Sequence, residues 1–97
     1  MGDTRGRPNQ LDAILLAAAN DAVNRGVTLR EVMQEDESLR EGRLSSRGLN
    51  FAALRLVRQG KLVRRYEFSG VEGNEKAVVR LYRYWLPQFA PTNVESA

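Results

Sequence analysis

The fold is decided by residues 44–60, "LSSRGLNFAALRLVRQG". Apolar residues recur in this stretch at the three- and four-residue spacing of an amphipathic helix. The stretch predicts a helix that Ser45 or Ser46 caps and that Gly60 ends. One side of this helix is apolar and is expected to face the core: Leu49, Ala52, Ala53, Leu56 and Val57.

The opposite side of the same helix is basic, with an apolar pair between the charges. It carries Arg47, Phe51, Leu54, Arg55 and Arg58, and Asn50 lies at the border of the core side. Three outward arginines suit a helix that enters the major groove of DNA, because guanidinium groups are forked donors for phosphate and base edges. Phe51 and Leu54 fit a protein contact slightly better than contacts with thymine methyl groups, since exposed apolar pairs more often mark protein interfaces.

Two further helices are predicted ahead of this one. The first is expected to run from an Asn9 cap to Gly26, because apolar residues recur there at helical spacing. Thr28 and Glu31 then form the S/T-x-x-E capping box, which predicts a second helix over 29–34 at least. The acidic residues 35–41 either continue that helix or form a loop, and such a run is typical of a solvated surface, not of a metal site.

After Gly60 the apolar period changes to two. "KLVRRYEFS" (61–69) and "KAVVRLYRYWL" (76–86) predict two strands, and "GVEGNE" (70–75) predicts a connection longer than a tight two-residue turn. Residues 87–97 predict a mostly irregular tail. Trp85 is interpreted as a residue that covers the core under the sheet, with a partner interface as the alternative.

Composition argues against catalysis. The 97 residues make one domain and contain neither cysteine nor histidine. Thiolate chemistry, most zinc sites and the usual neutral-pH general base are therefore excluded, and we expect no enzyme activity, no metal and no cofactor. The sequence has no apolar run of membrane-spanning length and no signal-like start, which predicts a cytoplasmic, nucleoid-associated or nuclear protein without a membrane partner.

Charge is unevenly distributed along the chain. The net charge is +3, but residues 1–42 carry five basic and eight acidic side chains, whereas residues 43–84 carry ten basic and three acidic ones. Most of the 15 cations are arginines, which bind phosphate and base edges better than lysines do. A basic second half favours a nucleic-acid partner over an acidic protein partner.

The order of these elements resembles the winged helix-turn-helix family. The resemblance rests on "GVTLREVM" (26–33), "LNFAALRLVRQGKLVRR" (49–65) and "VVRLYRY" (78–84). It implies an α+β fold: a three-helix winged helix-turn-helix with a C-terminal β-hairpin wing over 9–86, between a basic arm (1–8) and the tail (87–97). The acidic segment makes the link between the second and third helices longer than is usual in the family.

The resemblance also implies a DNA-binding surface. The family's third helix usually enters the major groove, and its wing touches the backbone or the minor groove. On this chain the implied helix contacts are Arg47, Asn50, Arg55 and Arg58. The implied wing contacts are Arg64, Arg65, Arg80 and Arg83, of which strand alternation lets only some face DNA.

A second, shorter resemblance lies at the beginning of the chain. Arg5, Gly6, Arg7 and Pro8 resemble the core of the AT-hook, whose extended backbone lets two arginines lie in a narrow A·T-rich minor groove. The alternative is an irregular terminus that happens to contain arginines.

The leading hypothesis is a double-stranded DNA-binding protein that acts as a homodimer. Repression of transcription, control of replication or partition, and nucleoid organisation are the expected roles, because a lone module acts by occupying DNA. The alternative is a winged-helix protein-interaction module that uses Phe51 and Leu54 without nucleic acid. RNA binding is a third hypothesis, and it requires exposed aromatic side chains on the sheet: Tyr66, Phe68, Tyr82 and Tyr84.

Overall fold

The computed structural model describes residues 7–71 and 74–94, and describes side chains at 10–67 and 81–94. The fold is α+β, which confirms the predicted class. The helices are α1 (Arg7–Ala22), α2 (Leu29–Glu35), α3 (Glu37–Arg40) and α4 (Ser46–Arg58). The strands are β1 (Val27–Thr28), β2 (Val63–Val71) and β3 (Asn74–Trp85), and they form one antiparallel sheet in the order β1-β3-β2. Short 3₁₀ turns follow α1 (Val23–Arg25) and β3 (Pro87–Phe89).

Helix α1 begins at Arg7, so Arg7 and Pro8 lie in its first turn and the helix starts ahead of the predicted Asn9 cap. A proline is tolerated there because the first turn has no partner for its missing N–H. At the other end the 3₁₀ turn closes on Gly26, whose N–H reaches the carbonyl of Val23. Residues 7 and 8 of the predicted arm therefore belong to α1, and residues 1–6 lie outside the described residues.

The predicted capping box of α2 is confirmed. The Thr28 hydroxyl accepts the Glu31 N–H at 3.2 Å, and the Glu31 carboxylate accepts the Thr28 N–H at 2.9 Å. Helix α2 runs to Glu35, and the Asp36 carboxylate then accepts the Leu39 N–H at 3.1 Å. The acidic segment is therefore a separately capped helical turn, neither a continuation of α2 nor a plain loop.

The boundaries and the core side of α4 agree with the prediction. The Ser45 hydroxyl accepts the Gly48 N–H at 2.9 Å. Gly60 has a φ of +76°, and at this end the Lys61 N–H bonds the Leu56 carbonyl at 2.9 Å, the pairing of a glycine-terminated helix. All five predicted core residues are buried: Leu49, Ala52, Ala53, Leu56 and Val57.

The two strands of the hairpin are paired over more residues than predicted. The register runs from Val63↔Trp85 to Gly70↔Val78, then shifts and resumes at Val71↔Asn74. Only residues 72 and 73 stand between the last partners, because the irregularity takes up the residues that were predicted to lengthen the turn. The prediction of a longer connection is therefore wrong.

Helices α1, α2 and α4 pack their apolar sides together and against the sheet. The largest buried side chains of this core include Leu15, Leu49, Leu56, Leu62 and Tyr84. Alanines of α1 and α4 are also fully buried, which lets the two helices approach closely. This packing leaves the outer side of α4 free of neighbours from the core.

Candidate nucleic-acid interface

The outer side of α4 presents a stripe of four side chains, Arg47, Phe51, Leu54 and Arg58, which we call the α4 stripe. These residues follow one another at four-, three- and four-residue steps and so share one face of the helix. Arg47 and Arg58 are exposed, Leu54 is half-buried, and Phe51 keeps 56% of its surface in solvent. The stripe is therefore an apolar centre with a guanidinium group at each end.

Arg55 was predicted for the same face, but the structure places it against α1. Its guanidinium pairs with the carboxylate of Asp12. The reason is its position on the helix: Arg55 follows Leu54 by about 100°, which turns it from the stripe toward the side where α1 packs on α4. This arginine supports the α1–α4 contact and is partly neutralised there.

Asn50 lies on the opposite flank of the stripe, beside a notch of about 220 Å³ between α4 and the sheet. The notch is lined by Leu29 and Arg30 of α2, Asn50 of α4, and Leu81, Tyr82 and Tyr84 of β3. Arg30 is exposed, and it was not among the residues predicted from the sequence. Its position in the first turn of a helix gave no indication that it would line the same notch as Asn50 and the sheet.

One face of the hairpin continues the notch with aromatic and basic side chains. The Arg64 guanidinium lies 3.9 Å from the centre of the Tyr82 ring, and the Tyr66 and Tyr82 rings are 4.8 Å apart. Tyr66 is 40% exposed, whereas Tyr84 is buried. Burial raises the pKa of Tyr84, and a hydrogen bond with Arg64 partly offsets that increase. This face of the sheet therefore presents a basic and aromatic surface beside α4, formed by Arg64, Tyr66 and Tyr82, which we call the ledge.

The other face of the hairpin holds a closed ionic cluster. Arg65 and Arg83 are direct cross-strand partners, and Glu67 lies between them, 2.8 Å from the Arg65 guanidinium and 3.0 Å from that of Arg83. Glu31 of α2 approaches Arg83 to 3.5 Å. The hydrogen bond from Arg65, followed by that from Arg83, lowers the pKa of Glu67 although its partial burial acts in the opposite direction.

This ionic cluster changes the predicted list of wing contacts. Arg65 and Arg83 alternate with Arg64 along the strands, so they project to the opposite face of the sheet. There they are neutralised by carboxylates of the same chain. Of the four predicted wing arginines, Arg64 lies on the ledge beside the notch, and the side chain of Arg80 lies outside the described side chains.

Trp85 belongs to the interior of the chain. It is 2% exposed, and its indole N–H donates to the Asn24 carbonyl at 2.9 Å. Gly26 lies directly against its ring, where a Cβ would come within 2.6 Å. The interpretation as a core residue is confirmed, and no ring surface is left for the alternative, a partner interface.

The arm residues are only partly described. Arg5 and Gly6 lie outside the described residues, and Arg7 and Pro8 belong to the first turn of α1 without described side chains. The predicted extended Arg-Gly-Arg-Pro segment therefore overlaps a helix in the chain without DNA.

Positive charge without an internal partner is concentrated around α4. Within the described side chains, five cations have no carboxylate within ion-pair distance: Arg30, Arg40, Arg47, Arg58 and Lys61. Three of them belong to α4 or to the turn that follows it, whereas Arg40 donates to the Gln34 carbonyl at 3.1 Å. By contrast, Arg43, two residues after the acidic segment, lies 3.0 Å from Glu41. The surface along α4 and its C-terminal turn is therefore more positive than the surface around Arg43 and Glu41.

Comparison with protein-family models, with curated proteins and with solved structures finds no match for this chain. None of the described helices is long and apolar enough to cross a membrane. The described side chains contain no group of three or more carboxylates arranged to hold a metal ion.

Proposed function

We propose that this chain is a DNA-binding protein of the winged helix-turn-helix type. In this proposal α4 is the recognition helix and the β2–β3 hairpin is the wing. The order of helix, short strand, helices and hairpin supports the proposal, as does the sheet order β1-β3-β2. Occupancy of DNA would itself be the output, through repression, control of replication or partition, or nucleoid organisation.

The observation that carries the proposal is the pair of exposed cations, Arg47 and Arg58, on the outer face of α4. Neither has a carboxylate partner among the described side chains. An α-helix with its side chains is about 10–12 Å across and fits the major groove, which is about 12 Å wide. Unneutralised guanidinium groups on such a helix are suited to phosphates and to guanine edges.

The neighbouring residues take defined roles in this arrangement. Asn50, on the flank of the stripe, is suited to the paired donor and acceptor of an adenine edge. Phe51 and Leu54 would meet thymine methyl groups in the groove. Arg30 borders the notch between α4 and the hairpin, and Arg64 packs on the ring of Tyr82, which lines the same notch; both would contact the phosphate backbone.

The test is fluorescence anisotropy of labelled duplexes over a salt series. We expect log affinity to fall linearly with log salt, and Arg47→Ala/Arg58→Ala to reduce the slope by up to about two units if both contact phosphates. Arg40→Ala/Arg43→Ala is the matched control, because it removes the same charge from the acidic segment and should leave the slope unchanged. Absence of binding by the wild type at low salt would refute DNA binding.

The same assay tests the arm. Arg5→Ala/Arg7→Ala is expected to remove a preference for A·T-rich over G·C-rich duplexes and to reduce the slope by up to about two units. Equal losses on both duplexes would show that these arginines contribute only general charge.

The second candidate function is a protein-interaction module, which the exposure of Phe51 favours. In that case the Phe51/Leu54 pair binds a partner and the flanking arginines set its orientation. Phe51→Ala distinguishes the two functions, because it should weaken DNA binding only modestly but abolish a protein contact centred on the ring.

A further inference from the structure

The apolar centre of the α4 stripe is larger than DNA binding requires. Thymine methyl groups are small, whereas Phe51 and Leu54 together offer a continuous apolar surface between two guanidinium groups. Arg47 and Arg58 are eleven residues apart, which places them about 16 Å from each other along the helix. The stripe therefore suits a surface that is apolar in its centre and acidic at its edges.

Such a surface exists on the same chain, between α1 and α2. A groove of about 260 Å³ lies there, and we call it the acidic groove. Its floor consists of Ile14, Ala17 and Ala18 of α1 with Val32 of α2. The small alanine side chains leave room above the floor for a larger side chain from another molecule.

The edges of the acidic groove carry exposed carboxylates. Asp21 continues the α1 face of the groove, and Glu35 ends α2 on the other side. Neither carboxylate has an ion-pair partner among the described side chains. Asp36 also borders the groove, but its carboxylate already caps α3.

We propose that a second copy of this chain docks its α4 stripe in the acidic groove. Phe51 and Leu54 then cover the apolar floor, and the two arginines of the stripe meet Asp21 and Glu35. The opposite pairing, stripe against stripe, would bring four arginines together without carboxylates, and like charges across an interface are strongly unfavourable.

The contact is head-to-tail, because the two surfaces are different. After pairing, one copy keeps a free groove and the other keeps a free stripe, so assembly proceeds to a closed ring or an open chain. Four side chains on one helix face make a smaller contact than the roughly 1,600 Å² of a stable complex, so the association is weak and depends on salt. A stripe that is held by a neighbour is not available to DNA; this competition rests on the proposed function, whereas the self-association does not.

Sedimentation equilibrium of the full chain from micromolar to submillimolar concentrations tests the proposal. The weight-average molar mass should rise above the monomer mass of 10.9 kDa as concentration increases, and it should return toward the monomer mass in high salt. Asp21→Lys/Glu35→Lys in the groove and Arg47→Glu/Arg58→Glu in the stripe should each stay monomeric. An equimolar mixture of the two variants should associate again, because opposite charges then face each other in every contact.

Two controls keep the result interpretable. Glu37→Lys/Glu41→Lys makes the same change in net charge at the beginning of α3 and directly after it, outside the groove, and should associate as the wild type does. Circular dichroism verifies that each variant is folded, and Asp21→Asn/Glu35→Gln replaces the groove variant if the lysines prevent folding. Addition of duplex DNA should return the wild type to smaller species.

The proposal is overturned by a wild type that stays monomeric at every concentration, by a groove variant that still associates, or by a mixture that does not. A negative result for self-association can be distinguished from a negative result for DNA binding. A monomeric chain that binds DNA with a normal salt slope would refute only the self-association. A chain that self-associates without binding DNA would refute only the DNA function.

Discussion

The α4 stripe and the ionic cluster of the hairpin contain the same residue type in opposite states. Arg47 and Arg58 reach solvent without a carboxylate partner among the described side chains, whereas Arg65 and Arg83 are held around Glu67. All four arginines were predicted to contact DNA, and they contribute equally to the net charge. The difference shows that positive charge in a sequence overstates positive surface when an acidic residue of one strand pairs with arginines of the same strand and of the neighbouring strand.

The ionic cluster is part of the structural framework. The Arg65 guanidinium lies 5.2 Å from the centre of the Trp85 ring, and the same ring covers Gly26. Arg83 also approaches the carbonyl of Gly26, at 3.5 Å. These arginines connect the sheet to the end of α1, so their removal should affect stability, whereas removal of the stripe arginines should affect binding.

The largest expected effect comes from disturbing the contact between Gly26 and the ring of Trp85, which lies beside the ionic cluster. Gly26→Ala places a Cβ 2.6 Å from the Trp85 ring at a φ of +71°, and we expect a loss of about 3 kcal/mol or more in the free energy of unfolding. Gly42→Ala is the control, because its φ is +81° but no atom lies within 4 Å of the new Cβ. It should cost only the backbone strain, about 1 kcal/mol. Equal losses in urea unfolding would show that the Trp85 contact is unimportant.

Removal of the shared carboxylate should have the next largest effect. Glu67→Gln leaves Arg65 directly opposite Arg83 without their shared carboxylate, and Glu31 remains near Arg83 alone. The expected loss of stability is about 1–3 kcal/mol by urea denaturation. Glu41→Gln removes an exposed partner of Arg43, and its effect should stay within about 0.5 kcal/mol. If the two variants unfold at the same urea concentration, the cluster is no stronger than a surface ion pair.

A matched pair of arginine substitutions compares the two regions directly. Arg58→Ala should lower the salt slope of DNA binding by about 0.9 while changing stability by less than about 0.5 kcal/mol. Arg65→Ala should leave the slope unchanged and cost about 1 kcal/mol of stability. Anisotropy and urea unfolding are measured on both variants. A reduced slope for Arg65→Ala would mean that the hairpin's ionic face also touches DNA.

The smallest expected effect is the acid dependence of stability. The pKa of Glu67 is lowered in the folded chain, below its ordinary value of 4.5, so the folded state binds fewer protons than the unfolded state. Its stabilising contribution is therefore complete above about pH 5 and is lost as pH falls through the folded pKa. The stability difference between the wild type and Glu67→Gln should shrink from about pH 6 to about pH 3. A constant difference would show that the carboxylate is not ionically coupled.

Much of the helical structure could be predicted because its causes are local. The Thr28–Glu31 capping box and the caps of α4 depend on hydrogen bonds between residues a few positions apart. The buried side of α4 followed from its apolar period. The start of α1, the separate turn α3 and the hairpin connection were harder to predict from the sequence, since each depends on small free-energy differences between alternative backbone arrangements.

The sequence alone was sufficient for the α+β class, the caps and the core side of α4. Apolar periodicity and capping hydrogen bonds depend only on residues that are a few positions apart. Only the tertiary structure decided which arginines are neutralised, and that Arg30 and Asn50 line the same notch. Arg55 meets Asp12 across 43 positions, and Arg83 meets Glu67 across 16. The charge state of a surface depends on such distant partners, and those partners are brought together by packing and strand register.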